Sequence, residues 1–416
     1  MLDKTILIGF FISFNVEIIL KARQLSKLIT SEQTDMTRKI VTDEEFEKMK
    51  LYNSDKLYFS IFNEIIGYLR NIFVVKWSLL LGLYFYLEST FPGLKSVVQQ
   101  VIYMIFVINI SRILELPMDL FYTFYIEEKH GFNKSTLKIF FMDFLKSTII
   151  IIVLIGFVVY GMLYIIDLFP KSFYLYLWTF LSVFQLIMVI AYPILIQPLF
   201  NKFQELPDGD LKSKIEKLAE EVGFKAKKIL TVDGSKRSGH SNAYFVGITK
   251  EKRVVLYDTL LSQLNEDEIV AVLAHEFGHW HFSHTLKQIL FGLFMQFFYI
   301  YAFNFVVKDT KFNEMVFKTT NVPMIVTLIY FSFISNFLGI VLTPLQNYFT
   351  RVMERQADVF AVKKGFGESL KNGLIKIHKE NKSNLCPDNW YSVYYHSHPT
   401  LVERLCLIES EMKKVE

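Results

Sequence analysis

Apolar positions in this chain come in long runs, and strongly polar stretches separate them. A helix needs about 20 mostly apolar residues to cross a bilayer. Runs of that length fall at about 4–21, 70–90, 97–120, 144–169, 173–198, 285–307 and 321–343. The clearest are 149–166 and 173–199. Between the fifth and sixth runs the pattern changes. Leu211, Ile215, Leu218 and Val222 recur on one helical face, and Gly223 follows as a stop. Residues 228–232, 243–248 and 253–257 have strand character. Asn265 with Glu268 three residues on marks a helix start, and that helix is expected to continue into the sixth span. The pattern therefore predicts an all-α polytopic membrane protein of seven transmembrane helices with a small α+β domain. The expected organisation is spans one to five in 1–200, an aqueous segment with short strands in 201–284, two further spans in 285–343, and a helical tail in 344–416.

Composition agrees and adds a constraint. Of 416 residues, 52% are hydrophobic and the mean hydropathy is +0.30, above an ordinary soluble domain. The 21% that are charged require substantial parts in water. A net charge of +4 is too weak to argue for nucleic acid. Cys386 and Cys406 make no disulfide framework, and no Cys-x-x-Cys exists. The first apolar run lacks a small-x-small cleavage site and contains Glu17, so it is expected to be retained as a span. Lys76, Arg112, Glu115 and Asp119 fall within spans, where charge is costly unless it faces protein or water. Arg112 and Glu115 sit at i, i+3, a spacing that suits a pair. Lys and Arg crowd the loops at 22–69, 121–143 and 199–284, and few flank the opposite ends. The positive-inside rule then places those loops and the tail in the cytosol.

The chemistry concentrates in Ala271-Val272-Leu273-Ala274-His275-Glu276-Phe277-Gly278-His279. Positions i and i+4 of a helix share a face, so His275 and His279 can aim at one metal ion. Glu276 beside them is placed as general base toward a zinc-activated water. A catalytic zinc takes three protein ligands. His281 points to another face, and His284 lies too far along the helix axis. That leaves a carboxylate from another helix. Glu354 is the best candidate, with Asp358 one turn on as an outer partner that orients a ligand histidine. On spacing alone, a Glu and an Asp four apart more often belong to an ordinary surface helix. His398 is a candidate donor to a developing oxyanion.

Taken together, several segments resemble the type I CaaX prenyl protease family. They are His275-Glu276-Phe277-Gly278-His279-Trp280, Glu354-x-x-x-Asp358 and Ser397-His398-Pro399-x-x-x-Glu403-Arg404. Two more are Glu127-Glu128-Lys129-His130-Gly131-Phe132-Asn133 and 235–245, which contains Ser241-Asn242-Ala243-Tyr244-Phe245. The resemblance runs from the first span to the tail. It implies seven helices around a large water-filled chamber, and an integral-membrane zinc metallopeptidase of the endoplasmic reticulum. It implies removal of the last three residues of a prenylated CaaX protein, with a second upstream cut in some members. By matching position, His275, His279 and Glu354 would hold one Zn2+ per chain, and Glu276 would be the base. Asn242 and His398 would contact substrate backbone or the oxyanion, and Asp358 and Arg404 would stand behind the ligands. Residues 243–247, with Ala243, Tyr244 and Phe245, would form an edge strand that pairs with the peptide. The expected partners are prenylated substrates and the lipid bilayer, with no nucleic acid, for a monomer. The expected setting is the endoplasmic reticulum and inner nuclear membranes, with a lumenal N-terminus, a cytosolic C-terminus and a site reached from the cytosol. The tail from Lys413 to Glu416 resembles a dilysine retrieval signal.

Two other classes share some of these features. A membrane peptidase of protein quality control shares the metal motif but usually has fewer spans, so seven spans and the Glu-Glu-Lys-His-Gly-Phe-Asn segment favour the prenyl protease. A channel or transporter accounts for intramembrane charge but leaves Glu276 idle.

Overall fold

A computed structural model describes residues 2–224, 226–246 and 252–415. Five of its helices are long and apolar enough to cross a membrane: Ser96–Glu127, Leu137–Leu168, Phe173–Leu199, His284–Lys308 and Met324–Lys363. The run at 70–90 is not one helix. Asp43–Lys76 and Leu79–Thr90 meet at a 59° bend, where Ser78 takes a left-handed conformation, and together they make a sixth such unit. Leu2–Thr30 is one 29-residue helix. Glu17 and Lys21 lie one turn apart on it, and Lys21 is buried against Glu64 at 2.7 Å. The predicted Arg112–Glu115 pair does not form. Glu115 pairs with Arg70 at 3.3 Å, and Arg112 reaches across to Ser147 at 2.8 Å.

Two apolar cores stand apart. One joins the long helices through Tyr103, Leu163, Phe173, Phe303 and Tyr330. The other joins the motif helix and the small sheet to the start of Asp43–Lys76 through Phe46 and Met49. A polar cavity of about 730 Å³ is lined by Lys21, Asn53, Asn63, Glu64, Asn71 and Asn336. A cavity so lined is wet rather than apolar.

The sheet has four strands in the order β1-β2-β4-β3, with β1 Phe203–Glu205, β2 Ala226–Val232, β3 Ala243–Val246 and β4 Lys252–Tyr257. β2 and β4 are parallel, and the outer pairs are antiparallel. β3 pairs on one side only, with Tyr244 opposite Val255, so it is an edge strand as expected. Residues 247 and 248, also expected in this strand, lie outside the described residues.

The motif helix Glu266–His281 does not run into the following span. It ends at Phe282, Ser283 turns left-handed at φ 54°, and a new helix starts at His284. No Gly or Pro marks the break in His281-Phe282-Ser283-His284, so the sequence carries no stop signal there. The last apolar run continues as helix from Met324 to Lys363, with a 3-10 turn at Asn336–Leu338.

Candidate metal centre and peptide cleft

The motif helix is fixed at its start by a reciprocal cap. Asn265 accepts from the Glu268 backbone N–H, and Glu268 accepts from that of Asn265, each at 2.9 Å. Such boxes satisfy N–H groups that a helix start leaves unpaired. Ile269, Ala271, Leu273, Ala274 and Phe277 then form a fully buried face. Gly278 is where helix Gly339–Lys363 crosses. A Cβ there would meet Ala357 Cα at 3.0 Å and Phe360 Cβ at 3.2 Å. The missing side chain lets the two backbones approach, which brings Glu354 under the histidines.

Nε2 of His275 and Nε2 of His279 lie 3.1 Å apart. Glu354 Oε2 is 3.3 Å from the first, and Oε1 is 3.2 Å from the second. The three residues present ligand atoms that all lie within 4.8 Å of one another. Glu354 Oε2 is buried and has no hydrogen-bond partner among the described residues. Two imidazole nitrogens and an unsatisfied buried carboxylate oxygen form a donor set that fits a metal of the zinc type. Leaving such an oxygen unpaired costs stability unless a cation completes it. Glu276 sits beside the cluster with no hydrogen bond to any described residue, and burial pushes its carboxyl above the usual carboxylate range.

The outer ring nitrogens meet different partners. His275 Nδ1–H donates to Asp358 Oδ1 at 2.8 Å, which leaves Nε2 free to ligate. Asp358 is wholly buried and held on both oxygens by the buried Arg404, at 2.9 and 2.6 Å. His279 Nδ1 faces His284 Nδ1 at 3.0 Å, and His284 Nε2–H donates to Gln356 Oε1 at 2.9 Å. Sequence spacing sets His284 aside as a ligand and does not anticipate this position behind His279. No sequence signal marks it, because the break at Ser283 that brings His284 back to His279 shows only in the backbone conformation.

His398 Nε2 lies 3.3 Å from Glu354 Oε1, so the distant histidine does reach the cluster. Asn242 is exposed beside β3, its carbonyl accepting from Tyr257 N–H at 3.1 Å. The side chains of Ala243 and Phe245 turn into the core, and the Tyr244 hydroxyl meets Gln197 at 3.3 Å. Only the backbone edge of β3 is thus available for pairing. The segment leading into β3 is clamped by residues 127–133. Phe132 carbonyl accepts from Gly239 N–H at 2.9 Å, and the Phe132 ring stacks on His240 at 4.1 Å. Buried Glu127 accepts from Tyr52 at 2.6 Å and faces His240 Nε2 at 3.1 Å. The two most distinctive stretches of the sequence are therefore two halves of one joint.

A histidine-pair helix crossed by a carboxylate helix, set among helices of membrane-spanning length, defines a membrane metallopeptidase. Residues 205–412 match peptidase family M48, and residues 24–202 match a model described as CAAX prenyl protease N-terminal, five membrane helices. The chain belongs to the CAAX prenyl protease family and is a metalloprotease of that type. It is 38% identical to the CAAX prenyl protease 1 homolog of Arabidopsis thaliana, over 98% of each chain. It is 35% identical to CAAX prenyl protease 1 of Saccharomyces cerevisiae, covering 99% of this chain and 96% of that one. The crystal structure of S. mikatae Ste24p superposes with a TM-score of 0.93 at 34% identity, over 98% of both chains.

Proposed function

We propose that the protein is a zinc endopeptidase, with one Zn2+ per chain, that removes the aaX tripeptide from prenylated CaaX proteins. The observation that carries this reading is the meeting of two Nε2 atoms with the unpartnered Glu354 Oε2 beside Glu276. His275, His279 and Glu354 would hold the ion. Zinc, when bound, supplies Lewis acidity toward water and the scissile carbonyl. Glu276 accepts the proton of the attacking water and delivers it to the leaving amine. His398 donates to the developing oxyanion. Asn242 and the free edge of β3 bind the peptide backbone by strand addition.

In this reading the helix Leu2–Thr30 and the bent pair complete seven spans around the polar cavity. The N-terminus is lumenal, and residues 201–284 and 344–416 face the cytosol of the endoplasmic reticulum membrane. Lys and Arg near the span ends support that orientation. The bent pair and the charged face of Leu2–Thr30 fit helices that line water on one side.

The test is cleavage of a farnesylated CaaX peptide by the purified protein, beside the unprenylated peptide. Equal rates on the two would point to a peptidase without prenyl specificity. Glu276→Gln should keep its zinc and lose at least about a hundredfold in turnover. Full activity in that variant removes Glu276 from the mechanism. Glu354→Ala should lose zinc, and normal metal content there sinks its place as third ligand.

A further inference from the structure

Arg112 lies within a membrane-length helix, where an uncompensated cation is costly and marks function by default. It has no ion pair among the described residues. One nitrogen, Nη2, donates to Ser147 Oγ at 2.8 Å, Thr148 Oγ1 at 3.3 Å and the Phe144 carbonyl at 3.4 Å. Its Nε is buried and has no hydrogen-bond partner among the described residues. Arg237 stands in the same wall. Asp143 and the Phe200 carbonyl occupy its Nε and Nη2, but its buried Nη1 also lacks a partner. Both arginines line one cavity of about 630 Å³, with Phe132, Phe140 and Phe200 as its apolar sides.

This cavity also reaches Ser238 and His240, just before β3. A peptide that adds antiparallel to β3 runs opposite to it. Its C-terminal residues therefore lie beside 238–242 and head into the cavity. Three extended residues reach about 10 Å, so the chain end lies well inside the cavity. The carboxylates already in the wall are not free to close it. Asp143 is engaged by Arg237, and Glu127 by Tyr52 and His240. Asp119, two turns on from Arg112, lines the cavity without reaching ion-pair distance.

We propose that this cavity is the subsite for the three departing residues, its aromatic walls taking the aliphatic side chains and Arg112, assisted by Arg237, binding the terminal carboxylate. The proposal rests on the reading of β3 as the peptide-docking strand. It is separate from the metal chemistry, because the group recognised is on the substrate.

The experiment compares a farnesylated CaaX peptide ending in a free carboxylate with the same peptide ending in an amide. The native protein should favour the acid by about tenfold or more in kcat/KM, as expected for a charge-assisted bond to a guanidinium. Arg112→Gln should bring acid and amide close to equality, and Arg112→Lys should keep part of the preference. Equal rates on the two peptides with native protein overturn the subsite while leaving prenyl-peptide cleavage standing. A preference that persists undiminished in Arg112→Gln removes Arg112 from it. If that variant fails to fold, inhibition of native protein by the free aaX tripeptide and by its amide gives the same answer: the acid should bind about tenfold tighter, and equal inhibition overturns the proposal.

Discussion

His275 and His279 occupy adjacent turns of one helix and face the same point, yet the groups behind them differ in kind. Behind His275 stands an anion, Asp358, wholly buried and clamped by Arg404. Behind His279 stand a second imidazole and an amide, His284 and Gln356. Both arrangements fix which ring nitrogen carries the hydrogen. Only the first adds charge, which makes its histidine a stronger ligand and ties the site to the fold. The metal centre therefore has a rigid, ionic side and a neutral side that costs less to rearrange.

The most severe way to break this contrast is Asp358→Ala. It strips His275 of its acceptor and leaves Arg404 buried and unpaired, a loss of about 3–5 kcal/mol in stability together with metal. Chemical denaturation and metal content of the purified variant measure both. Asp358→Asn keeps the shape and removes the charge. It should weaken metal binding by about 10–100-fold while the protein still folds.

Proton competition comes next. In metal-free protein, burial lowers the pKa of His275, but the Asp358 and Glu354 carboxylates outweigh it and raise the group from 6.5 to about 9. Metal must displace that proton, so apparent affinity should fall as the pH drops below about 9 and level off above it. The same shift makes the metal-free fold most stabilised by this group below pH 6.5, with the contribution fading as pH rises through 9. A chelator-competition series across pH 6–10 checks the first statement, and flat affinity over that range contradicts it. The smallest effect belongs to the neutral side. His284→Ala should cost about tenfold in metal affinity, near the lower limit for an outer partner. A loss as large as that of Asp358→Asn would show that charge is not what separates the two sides.

Most of this centre was legible in the sequence, because an i, i+4 histidine pair is a local pattern. Glu354 and Asp358 were legible as a pair on one face, but spacing alone could not bring their helix to the histidines. Gly278 does that, and its role appears only once the opposing backbone of Ala357 is in place. The support of His279 was invisible for a different reason. His284 is five residues on, which no single helix places behind His279, and the left-handed Ser283 that permits it has no sequence signature. The bend at Ser78 escaped in the same way. The runs at about 97–120, 144–169, 173–198, 285–307 and 321–343 each fall in a helix long and apolar enough to cross a membrane. In Leu2–Thr30, Glu17 and Lys21 interrupt the apolar run because the face that carries them turns inward toward Glu64.

Glu354 is carried on the same unbroken stretch that begins in the apolar layer at Met324. Thirty residues of helix make a lever of roughly 45 Å, so a tilt of about one degree at its membrane end moves the carboxylate by about 0.8 Å. That displacement is several times the roughly 0.2 Å within which a metal–ligand distance is held. The 3-10 turn at Asn336–Leu338 and Pro344 within the helix are the joints at which such a lever flexes. Bilayer thickness, which sets the tilt of a spanning helix, is thereby mechanically connected to the position of the Glu354 carboxylate against the two histidines.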